Sequence, residues 1–122
     1  MFVDNGNGTV SDTDTGLMWK QDHEEGTYPF DEACGLKSDC AGFDDWRLPT
    51  IDELNSLVDR SRVNPAIDVT AFPSTPYIWF WSSSPYAGSE FTAWRVSFYG
   101  GVVNNDGYRG CSYAVRLVRS IQ

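Results

Sequence analysis

Few side chains in this 122-residue chain have the type and spacing for covalent or acid–base chemistry. Cysteines stand at Cys34, Cys40 and Cys111, and the single histidine is His23. A structural zinc site takes about four nitrogen or sulfur ligands, and this set does not supply them at a ligand-like spacing. Were residues 34–40 one straight helix, the rise alone would separate Cys34 from Cys40 by about 9 Å, too far for a bridge. The two can pair only if the helix ends near Gly35, and Cys111 is then left over. His23, among Asp22, Glu24 and Glu25, reads as a solvated loop side chain. Ser82–Ser84 end a strand-like run without a nucleophile elbow. Asp44 and Asp45 are adjacent, so a general acid/base role for them would need support from the fold. Asn5-Gly6-Asn7-Gly8 with Asp12 and Asp14 invites a calcium loop, but an EF-hand-type loop wants an acid at its first position, and counting back from Asn5 as the third puts Val3 there. A Glu/Gln-Pro-Asn/Asp loop for calcium-dependent sugar binding is missing. The expectation is therefore no enzyme, no metal and no cofactor.

Binding residues are better represented. The segment 93–99, Ala-Trp-Arg-Val-Ser-Phe-Tyr, alternates strictly. A strand here would put Trp94, Val96 and Phe98 inward and Arg95, Ser97 and Tyr99 outward. Asn104, Asn105, Asp106, Tyr108, Arg109 and Tyr113 are expected in or beside the loop that follows. A second loop carries Tyr86, Ser89, Glu90 and Phe91. Tyr, Ser, Gly, Asn and Arg dominate this set, as they do in adaptable binding surfaces that combine rigid aromatic area with short polar groups.

Charge limits the partners. The net charge is −8, and residues 1–59 hold 14 of the 17 acids but only three of the nine bases. A general polyanion binder is normally basic, so nucleic acid is excluded as an expected partner. A heparin-like ligand would need a local patch of C-terminal arginines. No apolar run approaches 18 residues, so no membrane insertion is expected. No signal-peptide pattern opens the chain. Met1 directly precedes a strand-like run, as an excised domain or mature form would.

The elements that must position these residues are short. Asn-Gly steps at Asn5-Gly6 and Asn7-Gly8 signal a hairpin, Thr13–Gly16 a second turn, and Leu17-Met18-Trp19 a third strand. One helix is expected to start near Pro29 and cover Phe30–Cys34. A second is marked by Thr50 and Glu53 as a capping box, with Ile51, Leu54, Leu57 and Val58 as its apolar stripe. Tyr77–Ser83 reads as a buried strand, Gly100-Gly101 as a turn into a strand opening at Val102-Val103, and Tyr113–Arg119 as the closing strand. The sum is one domain over 1–122 of α+β class, a twisted and mostly antiparallel sheet with two helices.

Several strings occur in a telling order: Asp4–Val10, Thr15–Trp19, Asp45-Trp46-Arg47-Leu48-Pro49-Thr50, Glu53-Leu54, Asn64–Asp68, Phe72-Pro73, Trp81-Ser82-Ser83 and Val115–Arg119. In these the chain resembles the C-terminal domain family of the Legionella collagen-like adhesin. The resemblance implies a C-type lectin-like fold, related to formylglycine-generating enzymes, with its chain ends close together. It also implies a ligand face on the C-terminal strands and loops. Relatives include adhesins for sulphated glycans and the variable proteins of diversity-generating retroelements. Many members place a Cys between the two Val-Arg pairs near the end; this chain has Leu117 there, a departure that bears on the usual long-range disulfide. An oxidase of that fold needs a cooperating C-terminal cysteine pair, and only Cys111 is present.

The expectation is thus a non-catalytic ligand-binding display domain, with its display segment at about 84–116, of the retroelement-diversified kind. Its partner would be a protein or glycan on another cell or virus surface. Its setting would be extracellular, cell-surface or virion-associated, with a homo-oligomer left open. The alternatives are a polyanion-binding adhesin head using Arg95, Arg109, Arg116 and Arg119, and a degenerate oxidase-like enzyme. Trp46, Trp79, Trp81 and Trp94 are expected in the core, and Arg47 and Arg116 as structural partners of the acidic N-terminal half.

Overall fold

The computed structural model describes residues 1–121. Its α+β chain forms two antiparallel sheets and two short helices. The first sheet orders β1 (Phe2–Asp4), β2 (Thr9–Asp12), β3 (Leu17–Lys20) and, from the far end of the chain, β7 (Val118–Ser120) as β1-β2-β3-β7. The Asn-Gly loop and the Thr13–Gly16 turn form the two hairpin connections, as their turn chemistry dictates. The ends meet here: Thr13 N donates to Met1 O at 3.0 Å and Ile121 N to Gly16 O at 2.9 Å.

The second sheet orders β4 (Trp79–Pro85), β5 (Thr92–Ser97) and β6 (Val102–Tyr108). The single expected sheet is therefore corrected to two, joined through residues 113–118 and not by a continuous ladder. Tyr113 bridges to Tyr28, Ala114 to Phe80 in parallel, and Val118 to Arg47. This short stretch feeds two hydrophobic cores from its two faces. Ala114 and Val118 join Val10, Trp19, Leu54, Phe72, Phe80, Val96 and Phe98. Val115 and Leu117 join Phe30, Trp46, Leu48, Trp81 and Ala93.

Because the second sheet has a core on each side, strict in-out alternation fails on β5. Val96 and Phe98 are fully buried, as expected, and Tyr99 is exposed. Ser97 is buried rather than outward, and Arg95 is partly covered. Trp94 is only half-buried, its ring edge-on to Tyr86 with centroids 6.2 Å apart. The register gives the reason. Between the pairs flanking Trp94, β4 carries three residues and β6 carries two where β5 has one. Such bulges bend the neighbouring strands and re-aim side chains. Asn104, Asn105, Asp106 and Tyr108 are corrected likewise, since they lie within β6 and not in a loop. Gly107 is required there: a Cβ would stand 2.7 Å from the Trp81 ring and 3.1 Å from Ala93 O.

Helix α1 (Phe30–Cys34) follows Pro29 and ends at Gly35, as expected. Helix α2 (Ile51–Asn55) carries the complete capping box. Glu53 does double duty. It accepts from Thr50 N at 2.9 Å and from both Arg47 Nη atoms at 2.6 and 2.8 Å. Arg47 also exchanges two backbone hydrogen bonds with Val118, both at 2.9 Å, and Ser83 N reaches Pro49 O at 2.7 Å. The stretch from Trp46 to Leu54 thus ties α2 to both sheets.

Arg116 is fully buried, and among the described residues no carboxylate is paired to it. Its Nη1 donates to the carbonyls of Lys20, at 3.1 Å, and Gln21; Nη2 donates to Thr75 Oγ1 at 2.7 Å. Its guanidinium carbon lies 4.7 Å from the Phe72 ring centroid. Burial pulls its pKa down to about 10, opposed by the charge of Asp22, so it remains a cation at neutral pH. The expected partnership with the acidic half is corrected in kind: its oxygens come from carbonyls and a hydroxyl.

Three outcomes follow for stability. Arg116→Ala takes the guanidinium donor from two carbonyls and opens a void, and losing a buried hydrogen-bond partner costs about 1–3 kcal/mol apiece. Urea denaturation should give a loss of at least about 3 kcal/mol; a smaller loss would mean Arg116 does not hold the sheets together. For Glu53, the Arg47 hydrogen bonds lead in lowering its pKa, with Thr50 adding to them against burial. A carboxylate whose folded pKa is depressed stabilises above its unfolded value of 4.5 and loses that contribution as pH falls through the lower folded value. Parent stability should therefore fall below about pH 4.5 more steeply than that of Glu53→Gln. Thr50→Ala should cost about 1 kcal/mol at neutral pH.

Candidate ligand-binding face

The second sheet positions the expected binding residues, and it divides them. Four become scaffold. Arg95 stacks 3.7 Å from the Trp79 centroid, donates from Nε to Asn104 Oδ1 at 2.9 Å and from Nη1 to the Tyr113 hydroxyl at 2.8 Å. Asn104 Oδ1 also accepts from Asp106 N at 3.1 Å. Tyr113 packs on Trp81 with centroids 4.6 Å apart, and burial raises its phenol pKa against the charge of Arg95. Ser97 Oγ accepts from Tyr99 N at 3.2 Å. A side chain so engaged cannot be exchanged freely.

The exposed members sit at opposite ends of β5. At one end Tyr99 lies beside Tyr77, centroids 6.2 Å apart, both more than half exposed. At the other, Glu90, Phe91, Tyr108 and Arg109 line an open cavity of about 490 Å3 with Asp31, Gly110 and Cys111. Phe91 and Tyr108 are 67% and 63% exposed, so most of each ring is free to meet a partner. Tyr86 and Ser89 shape the approach: Ser89 N donates to Tyr86 O, and Ser89 Oγ accepts from Phe91 N, both at 3.1 Å. Asn105 and Asp106 lie on β6, just before Tyr108, and are not among the described residues that line the cavity.

The backbone stitches the cavity from three segments. Arg109 N donates to Phe91 O at 3.0 Å, Phe30 N to Arg109 O at 2.9 Å, and Cys111 N to Tyr108 O at 2.9 Å. The Arg109 side chain is steadied by its Nε on Thr92 O at 3.1 Å and by the Phe30 ring, 5.1 Å away. Asp31, Gly110 and Cys111 were not among the expected site residues. Nothing in residue spacing links Asp31 to residues 90–111; the Phe30–Arg109 hydrogen bond does.

All three thiols are free. Helix α1 does end at Gly35, yet Cys40 turns toward Gly8, its Sγ 4.0 Å from Gly8 O, and does not meet Cys34. Burial raises the Cys34 pKa, with Asp31 adding and Arg109 opposing. His23 is not simply solvated either: it is half-buried, edge-on to Phe80 at 6.3 Å, with Nδ1 2.8 Å from Glu24 O. Of the four expected core tryptophans, Trp46 and Trp81 are buried, while Trp79 and Trp94 are half-buried. The four-arginine patch does not assemble. Arg116 is enclosed, Arg119 is held by Asp45 at 2.6 Å and by the Phe43 ring, and Arg95 and Arg109 are engaged as described.

Two antiparallel sheets joined by a buried C-terminal crossing, with aromatic residues exposed at both ends of the second sheet, make this a small α+β domain. The family model described as the Lcl C-terminal domain matches residues 8–119, and the chain belongs to that family. No curated protein matches it.

The division between scaffold and surface is measurable. Phe91→Ala and Tyr108→Ala should each change stability by no more than about 0.5 kcal/mol, as exposed positions usually do. Trp81→Ala should cost about 3–5 kcal/mol. Arg95→Ala should fall between them. Chemical denaturation of the four variants decides it; an Arg95 variant as stable as the parent would return Arg95 to the exchangeable surface.

Proposed function

We infer that the domain is a non-catalytic ligand-display head of C-type lectin-like fold, taking its ligand at the C-terminal face of the β4–β6 sheet. The observation that carries this reading is the pairing of free aromatic area with a rigid base. Phe91 and Tyr108 are largely exposed around the cavity, while the backbone beneath them is fixed by hydrogen bonds from three segments. Exposed aromatics on a preorganised frame lose little entropy on binding and tend to dominate interface energy. The partner class is a protein or glycan on another cell or virus surface, which suits an adhesin-related family. Within the class we favour a retroelement-diversified protein over a polyanion binder. The net charge of −8 and the engagement of the C-terminal arginines weigh against the latter. The exchangeable positions are then Glu90, Phe91, Tyr99, Asn105, Asp106 and Tyr108, not the whole segment 84–116.

The test is binding of the chain to a glycan array and to an array of cell-surface ectodomains. The parent should be captured by a discrete ligand. The triple variant Phe91→Ser, Tyr99→Ser, Tyr108→Ser should lose at least about tenfold in affinity, as loss of aromatic anchors does, with its melting temperature unchanged. Capture that survives the triple variant would place the site elsewhere.

A further inference from the structure

We propose that the cavity between α1, the β4–β5 loop and the end of β6 receives a basic side chain, lysine or arginine, of a protein partner. The inference rests on the display reading and names the chemistry of its ligand. Three observations carry it. The volume, about 490 Å3, lies within the range of ligand pockets and suits one long side chain with its flanking backbone. Two largely exposed rings, Phe91 and Tyr108, line it, and aromatic faces attract cations through the ring quadrupole. Two exposed carboxylates, Asp31 and Glu90, line it too, and among the described residues neither is in an ion pair.

Among the described residues Arg109 is the one cation in the lining, so against Asp31 and Glu90 the lining carries one net negative charge. Its Nε is committed to Thr92 O and its plane is held by Phe30, which leaves the Nη donors for a backbone carbonyl of the same partner. An anionic guest would face both carboxylates; a cationic guest meets two carboxylates and two exposed rings. The acidity of the whole domain adds to this, since a net charge of −8 raises the local concentration of basic partners and repels acidic ones.

The test titrates the 15N-labelled chain with four capped tripeptides that differ only in a central Lys, Arg, Gln or Glu, and with a heparin-derived tetrasaccharide. The amides of Phe91, Arg109 and Cys111 are observed. The Lys and Arg peptides should shift these amides saturably, at least tenfold more tightly than the Gln peptide, and the Glu peptide should not. Asp31→Asn with Glu90→Gln should abolish the preference while leaving the rest of the spectrum in place. Raising salt from 50 to 500 mM should weaken binding severalfold. Equal response to Lys and Gln, no response to any probe, or a preference that survives the double variant would overturn the basic side chain as ligand. A tetrasaccharide that shifts the same amides more tightly than the Lys peptide would overturn it too, yet would leave the display face standing. The display reading itself falls only if the triple aromatic variant keeps its captured ligand.

Discussion

Residues 113–119 hold the molecule together because one short extended stretch must satisfy partners on every side. Trp81 N of β4 donates to Ala114 O and Ala114 N to Trp79 O, both at 3.0 Å, Lys20 N reaches Leu117 O at 3.1 Å, and Glu24 N reaches Val115 O at 2.7 Å. Alternate side chains enter the two cores, and Arg116, on the first-core face, donates to β3 and to the loop after Phe72. A buried guanidinium without a carboxylate carries a desolvation cost that only good hydrogen-bond geometry offsets. In return it fixes where the segment lies: a shift of one residue would exchange the two cores and strand the charge.

That constraint explains the most recognisable string in the chain. Trp46 fills the second core, Arg47 pairs its backbone with Val118, Leu48 packs, Pro49 offers its carbonyl to Ser83, and Thr50 and Glu53 start the helix that delivers Leu54 to the first core. Every position has a separate physical duty, so the types are not interchangeable even though none is catalytic. The aromatic residues around the cavity have no such duty, and this is why the same small sheet can hold a fixed interior and a free surface.

The hairpins and helices were legible because each is set by local chemistry: Asn-Gly turns, Pro29 before α1, Gly35 after it, and the Thr50–Glu53 box. The faces of β5 were not. Alternation identifies a side only when one side is wet, and here β5 lies between two cores, with bulges in both neighbours at Trp94. The same cause moved Ser97 inward and drew Arg95 onto Trp79. Placing Asn104–Asp106 in a loop failed for a different reason: polar residues with little strand propensity form β6 because β5 pairs with them. The cavity was half legible. Glu90, Phe91, Tyr108 and Arg109 stood out by composition, whereas Asp31 enters through a tertiary contact that no spacing encodes.

The charge asymmetry of the sequence takes a sharper form in the fold. All seven arginines are engaged within the domain: Arg47 with Glu53, Arg60 with Asn55 and Gly101, Arg62 with Asp59, Arg95 with Asn104 and Tyr113, Arg109 with Thr92, Arg116 with carbonyls, and Arg119 with Asp45. Acids such as Asp31, Glu32, Asp44, Asp52, Glu90 and Asp106 stay exposed. Several of the cations therefore sit on carbonyls, hydroxyls and ring faces, and the field that reaches solvent is dominated by carboxylates. If the domain displays a ligand face as proposed, long-range attraction would select the sign of an approaching surface before any contact forms, and the aromatic ends of the second sheet would decide which of those surfaces stays. On the proposed display reading, recognition would separate into an acidic field that belongs to the whole chain and a contact chemistry confined to a few exposed side chains.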